Sequence, residues 1–269
     1  MTPPGARIFR VLAGEAVRDA VRRRIVPAIA VVSLLSLLVV DSCTSCAQPA
    51  ITQNGVPVEL PEIGGWTGMV IFAVLALWAM VLAGVLGSDH LAETFDDGSA
   101  SLVLARPVGR ATFALSRLAG VLTIAFVTGA VLLGGTTALL YTRHDLAVAS
   151  AVWSGLACVL GAVVVASLAM TASLFLPRIA TVLAVLVGVG VISGVNAIGL
   201  FGVELGGFAW GIDRFGPPLG SAVIAALAPW IAPVEVAADP LELAVRILAW
   251  AVAGVSLLVV ASRRCDVPS

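Results

Sequence analysis

His90, Glu93, Asp96 and Asp97 stand close together in a chain otherwise poor in charge. His90, Glu93 and Asp97 are spaced i, i+3, i+7, which puts them on one face of a helix, available for ion pairs with a partner's Arg or Lys. Gly98 is placed to end that helix as a C-cap. Leu102–Arg106 reads as a second short helix, stopped by Pro107 because the residue before a proline is pushed out of the α region. Arg106 and Arg110 then stand ready for carboxylates or phosphate head groups. Taken alone, these residues fit an ordinary solvated loop as well as a contact surface.

The other reactive side chains are few. Cys43 and Cys46 form a CxxC whose chemistry stays open between a disulfide, a thiol redox pair, a soft-metal site and incidental cysteines. Two sulfurs are too few ligands for a closed zinc site. Cys158 reads as core and Cys265 as a free thiol. His144, with Arg143 and Asp145, reads as a solvated turn. Asn196 is a polar group inside an apolar run, where helix–helix hydrogen bonding or a cavity must satisfy it. All fifteen basic residues are Arg. Without a single Lys the chain has no GxxxxGK[ST] phosphate loop, whose Lys reaches the nucleotide's terminal phosphates. Any ATP and Mg that drive this protein must be bound by another chain.

The elements that position these residues follow from composition. Hydrophobic residues make up 60% of the chain and charged ones 12%, against about a quarter charged in soluble domains. That balance predicts an all-α integral membrane protein. Residues 6–24 read as an amphipathic helix with Arg7, Arg10, Arg18 and Arg22 on one face and Ile8, Phe9, Leu12, Ala16, Val17 and Val21 on the other. Such a helix suits the membrane interface. Six spans follow, at about 25–40, 66–87, 118–141, 150–176, 179–200 and 243–261. The first is read as an uncleaved span rather than a signal peptide, since its basic cluster lies far into the chain and Asp41 interrupts a lipoprotein-type cleavage box.

Polar, Pro- and Gly-rich loops are expected at 41–65 and 201–242. Within the second, Leu219–Ile231 is apolar but too short to span, which predicts a re-entrant or interfacial helix. Small residues, among them Gly129, Gly134, Gly135, Gly188, Gly190 and Gly194, are expected to let helices approach closely. Orientation follows the Arg bias: with both termini cytoplasmic, twelve arginines lie on that side, against Arg143, Arg214 and Arg246 on the other. The segment 88–117 is then cytoplasmic. No span carries an acid or base at its middle, an argument against proton-coupled transport and against channels with charged filters.

Glu93, Gly98, the run LVLARPVGR from Leu102 to Arg110 and Gly120 in the following span resemble the permeases of ABC-2-type transporters, in which a pattern of this kind joins the second and third spans. The whole layout is similar as well: an interfacial N-terminal helix, six spans and an excursion before the last. Arg117, where relatives often have Lys, and the acidic pair Asp96-Asp97 depart from the pattern. The resemblance implies a coupling helix that docks on a nucleotide-binding ATPase subunit through His90, Glu93, Asp96, Asp97, Gly98, Arg106, Pro107 and Arg110.

It also implies a second permease copy or paralogue, contact with lipids and not nucleic acid, a bacterial or archaeal plasma membrane, and export. A related possibility is a subunit that transmits ATPase motion to an external partner without transporting. A membrane enzyme fits less well. Asp97-Gly98 matches the start of a CDP-alcohol phosphotransferase signature, but the residues that should follow do not. His90 and His144 fall on opposite faces, and neither GxSxG nor HExxH is present. The substrate is not readable from the spans.

Overall fold

Van der Waals contact between closely approaching helices is what holds a bundle together in hydrocarbon, because lipid tails are as apolar as the side chains. This chain meets that requirement with a helix of small residues. The computed structural model describes residues 4–22, 52–53, 56–57, 61–96, 109–144, 148–200, 202–228 and 239–264, together with Val31, Leu34, Leu35, Leu38 and Ser42. Its helices are α1 (Pro4–Arg22), α2 (Pro61–Asp96), α3 (Arg110–His144), α4 (Val148–Ser173), α5 (Arg178–Leu200), α6 (Gly207–Phe215), α7 (Leu219–Leu227) and α8 (Pro240–Arg264).

Among the described residues five helices are long and apolar enough to cross a membrane: α2 over Gly68–Asp89, α3 over Arg110–Thr142, and the whole of α4, α5 and α8. Their outward faces carry exposed Val74, Phe126, Val131, Val152, Leu183, Val187 and Val252, as expected of surfaces that meet lipid. The protein is a multi-pass, helical membrane protein. The expected first span at 25–40 lies outside the described residues except for Val31, Leu34, Leu35 and Leu38, which are helical and exposed.

Central in the bundle is α4, which packs against α2, α3, α7 and α8. Its buried side chains are mostly small, including Ser154, Cys158, Gly161, Ala162, Ala166 and Ser167. At Gly87 of α2 an added Cβ would stand 3.1 Å from the Ala166 carbonyl oxygen, and at Gly84 it would stand 2.7 Å from Val165 of α4 and from Val185 of α5. Gly161 accepts the end of Met80, and Gly254 of α8 lies against the Ser167 hydroxyl. Most of the glycines expected to pack closely do not meet a neighbouring helix. Nothing approaches within 4 Å of a Cβ placed at Gly134, Gly188, Gly190 or Gly194, and Gly129 meets only Ala79 at 3.9 Å. These face outward or into a lateral groove of about 940 Å³ between α3 and α4, because a glycine's spacing does not say which side of its helix faces the bundle.

Several boundaries also differ from those expected. Helix α2 begins at Pro61, suited to a first helical turn, rather than at Trp66, and it runs past Gly87 without a break to Asp96. Charge lowers hydropathy there, but no proline interrupts the helix, and Leu91, Ala92 and Glu93 are good helix formers. For the same reason α3 starts at Arg110, before the apolar run, and continues through Thr142 to His144, where a turn was expected. The loop at 41–65 contains a small antiparallel ladder, Thr52–Gln53 with Val56–Pro57, separated by Asn54-Gly55, a pair that two-residue hairpins favour.

Helix α1 docks onto the start of α3. Leu12 and Ala16 are buried, and Gly120 lets the α1 backbone come close: a Cβ there would meet the Ala16 Cβ at 2.6 Å and the Ala13 carbonyl oxygen at 3.2 Å. Ile8 and Val21, assigned to the apolar face with Leu12 and Ala16, are exposed at the edges of this contact. We predict that Gly120→Val, by forcing α1 away, destabilises the protein by about 1–3 kcal/mol. Gly188→Ala should be neutral or stabilise by up to about 1 kcal/mol, because it adds helix propensity where space is open. Thermal denaturation of the detergent-solubilised protein, followed by size-exclusion chromatography, distinguishes the two.

Candidate functional site

The bundle has two unlike ends. At the first end, α2 leaves the bundle, α4 turns into α5 through Pro177, and α1, the start of α3 and the end of α8 gather. Arg7, Arg10, Arg18, Arg110, Arg117, Arg178, Arg263 and Arg264 all lie there. The 36 residues of α2 at about 1.5 Å each make a rod of roughly 54 Å, well beyond a hydrocarbon layer of about 30 Å. From Asp89 onward the helix carries the charged and polar run Asp89, His90, Glu93, Thr94 and Asp96, so its last turns form an arm of about 10 Å beyond Asp89. His90, Glu93 and Asp96 lie on that arm.

Asp97, Gly98, Arg106 and Pro107, with the expected short helix at Leu102–Arg106, lie outside the described residues, as do Cys43, Cys46 and Cys265. Arg110 is half-buried at the first turn of α3. The Gly109 carbonyl accepts the Phe113 N–H at 3.0 Å there.

The residues just before the arm are firmly held. Ser88 is fully buried, and its hydroxyl donates to the Val85 carbonyl at 2.8 Å. Asp89 pairs with Arg178, the first residue of α5. The Arg178 Nη2 donates to Asp89 Oδ2 at 2.8 Å, and Nε lies 2.6 Å from Oδ1 without the alignment of a hydrogen bond, so that second contact is ionic. Across the same end, Arg117 is 8% exposed with its guanidinium 5.3 Å from the centre of the Phe113 ring, a cation–π distance. Neither Asp89 nor Arg178 stood out in the sequence beyond its charge. Their signal was Asp89's place inside the charged stretch and Arg178's place directly after Pro177.

At the second end the segment between α5 and α8 is ordered by polar contacts in an apolar setting. Helix α6 approaches, Gly216-Pro217-Pro218 breaks the path, and α7 returns into the bundle with Leu219, Val223 and Leu227 buried. Of the expected short apolar helix at Leu219–Ile231, Leu219–Leu227 is helical, and residues 229–231 lie outside the described residues. The placement of α7 needs three capping contacts. Ser154 of α4 donates to the Val223 carbonyl at 3.2 Å. Asn196 of α5, with its amide nitrogen turned to the carbonyls, donates to Pro217 at 3.0 Å and to Ile192 at 3.1 Å, so the polar residue of that span joins two elements. Gly220 lets α7 approach α5, where a Cβ would stand 3.0 Å from the Ser193 carbonyl oxygen.

The third contact comes from Arg246. Counted at the sequence level only as an external charge, it lies inside α8, where its Nη2 donates to the carbonyls of Asp213 at 2.6 Å and Gly216 at 2.9 Å. Trp250 Nε1 donates to the Phe215 carbonyl at 3.0 Å one turn further on. These donors satisfy the last carbonyls of α6, which no intrahelical N–H reaches. Arg214 and Glu242 stand 3.6 Å apart on the exposed rim. Phe208, Trp210 and Phe215 are exposed beside them, where aromatic rings suit a membrane–water interface.

His90 lies in the last two turns of α2 and His144 is the last residue of α3, towards opposite ends of the bundle, and among the described residues no three His, Cys, Asp or Glu side chains gather as a metal site. Cys158, buried in α4, directs its thiol to the Ala76 carbonyl at 3.5 Å, the core role its apolar surroundings suggested. No protein-family model matches this chain, and no curated protein matches it closely enough to count as a relative. Arg246→Met should leave the Asp213 and Gly216 carbonyls without donors at a cost of about 2–3 kcal/mol. Hydrogen exchange of the amides of residues 213–216 and 219 should rise on the order of tenfold or more while that of α4 is unchanged.

Proposed function

We propose that this protein is the permease subunit of an ABC-2-type transporter, worked by a separate ATPase that binds ATP and Mg. The observation that carries the reading is the α2 arm. It is a rigid continuation of a membrane helix, bearing His90, Glu93 and Asp96, at the end of the bundle where the arginines gather. The positive-inside rule makes that end cytoplasmic, where a nucleotide-binding subunit is available. A helix that continues unbroken from the partner's surface into the bundle transmits displacement along its axis, because the backbone hydrogen-bond ladder resists compression and bending. A loop in the same place would absorb the movement.

In this reading, closure of two ATPase subunits on ATP pushes on the α2–α3 junction of each of two permease copies. It shifts the spans between two arrangements, the two-state element that coupling requires. The docking surface is His90, Glu93, Asp96, Asp97, Gly98, Arg106, Pro107 and Arg110. The membrane is a bacterial or archaeal plasma membrane, with both termini in the cytoplasm, and the direction is export. Support for this assignment is the motif from Glu93 to Arg110, the Arg asymmetry and the projecting arm. The uniformly aliphatic outward faces suit any apolar surrounding and do not favour one cargo.

Affinity purification from the native membrane, followed by mass spectrometry, tests the reading. A stoichiometric soluble ATPase with the phosphate-loop Lys that this chain lacks should co-purify, and isolation of the protein alone would sink the assignment. Glu93→Arg should abolish stimulation of that ATPase by the permease while membrane insertion stays normal. Wild-type stimulation in this variant would remove Glu93 from the docking surface.

A further inference from the structure

The contacts that fix the arm where it leaves the bundle say which helices must follow it. Gly87 brings the α2 backbone onto Ala166 and Met170 of α4, with an added Cβ only 3.1 and 3.2 Å from them. Gly84, one turn earlier, is wedged between Val165 of α4 and Val185 of α5. Two residues beyond Gly87 the Asp89 carboxylate, 13% exposed, meets the Arg178 guanidinium through two nitrogen–oxygen contacts, at 2.6 and 2.8 Å. Arg178 is 60% exposed, so as a source of stability the pair ranks with surface ion pairs, typically worth under about 1 kcal/mol. Its geometry matters more than its energy. One aligned hydrogen bond and a second ionic contact together limit how the two groups can move past each other, and the pair joins segments 89 residues apart in sequence. The α4–α5 turn it grips is short and set by Pro177, so it has little freedom to yield independently.

We infer that Asp89 and Arg178 are positioning residues that lock the α2 arm to the α4–α5 turn, so that a displacement of the arm moves the cytoplasmic ends of α4 and α5 as one unit with it. The inference rests on the permease reading for the source of the push, but the lock itself is a property of this chain alone. Since α4 is central and α5 carries Asn196 and Ser193 against the re-entrant α7, the lock gives the arm a route through two helices to the opposite end. Packing at Gly84 and Gly87 resists sideways slip, and the ion pair resists rotation of the arm about the axis of α2.

Nitroxide labels at Thr94 on the arm and Phe175 on the turn, in the full-length protein with Cys43, Cys46 and Cys265 replaced by Ser, read the lock directly by pulsed electron resonance. A single narrow distance distribution is expected. It should broaden in Asp89→Arg and in Arg178→Asp and narrow again in the double exchange, which restores opposite charges. In the purified complex each single variant should lower permease-stimulated ATP turnover about tenfold, the scale of a typical coupling energy. The ATPase should remain bound, and the double exchange should recover most of the loss. A distribution unchanged by the single variants overturns the lock, and so does a double exchange no better than the singles in a protein that still elutes as a folded species. If the distances respond as expected but no ATPase co-purifies, the lock stands and the permease reading falls.

Discussion

Close approach of backbones along α4 is the constraint on which the rest of the structure depends. In water, burying leucines would hold helices together, whereas in hydrocarbon that term is nearly absent and contact distance decides. Gly87 against Ala166, Gly161 against Met80 and Gly254 against Ser167 bring α2 and α8 onto the two sides of α4. The large buried side chains, such as Phe72, Met80 and Leu132, then fill the remaining space. Residues as small as Ser167 and Ser154 can line this interface because their hydroxyls are satisfied. Ser167 donates to the Val164 carbonyl of its own helix and Ser154 to Val223 of α7, so neither is left as an unpaired polar group in an apolar setting.

The same rule bears on the segment between α5 and α8. Irregular backbone at membrane depth survives only where protein groups take the place of water. The break at Gly216-Pro217-Pro218 reduces the demand, since proline has no N–H to satisfy. The freed carbonyls remain, and Arg246, Trp250 and Asn196 supply their donors from two different helices. An arginine inside an apolar helix is costly unless it is paired. Here its hydrogen bonds end α6, so the cost and the benefit arise at one site. This gives Arg246 and Asn196 structural roles that need no transported ion.

The two ends of the molecule therefore differ in kind. One is a cap in which charged and aromatic residues close off a broken chain. The other is a projecting arm held at its root by Gly84, Gly87 and the Asp89–Arg178 pair. The helical arm at one end and the packed α7 at the other are linked by α4 and α5, which contact both α2 and α7.

Composition and the long unbroken apolar runs by themselves pointed to a helical chain that crosses a membrane several times, because runs of that length and apolarity suit membrane helices. They also placed the apolar centres of α2, α3, α4, α5 and α8 to within a few residues, marked Leu219 onward as too short to span, and set the charged stretch after Gly87 apart. Helix ends were not legible, since hydropathy reports where the bilayer stops and α2 and α3 continue as helices beyond it. Nor was the choice among glycines legible. Gly120 and Gly87 meet neighbouring backbones while Gly188 and Gly190 face open space, and only the rotation of each helix about its own axis decides between them. The partnership of Asp89 with Arg178 and the cap made by Arg246 join residues far apart in sequence. Charge and hydropathy are local properties and carry no record of which distant group will stand opposite, and that was decided only when the helices packed.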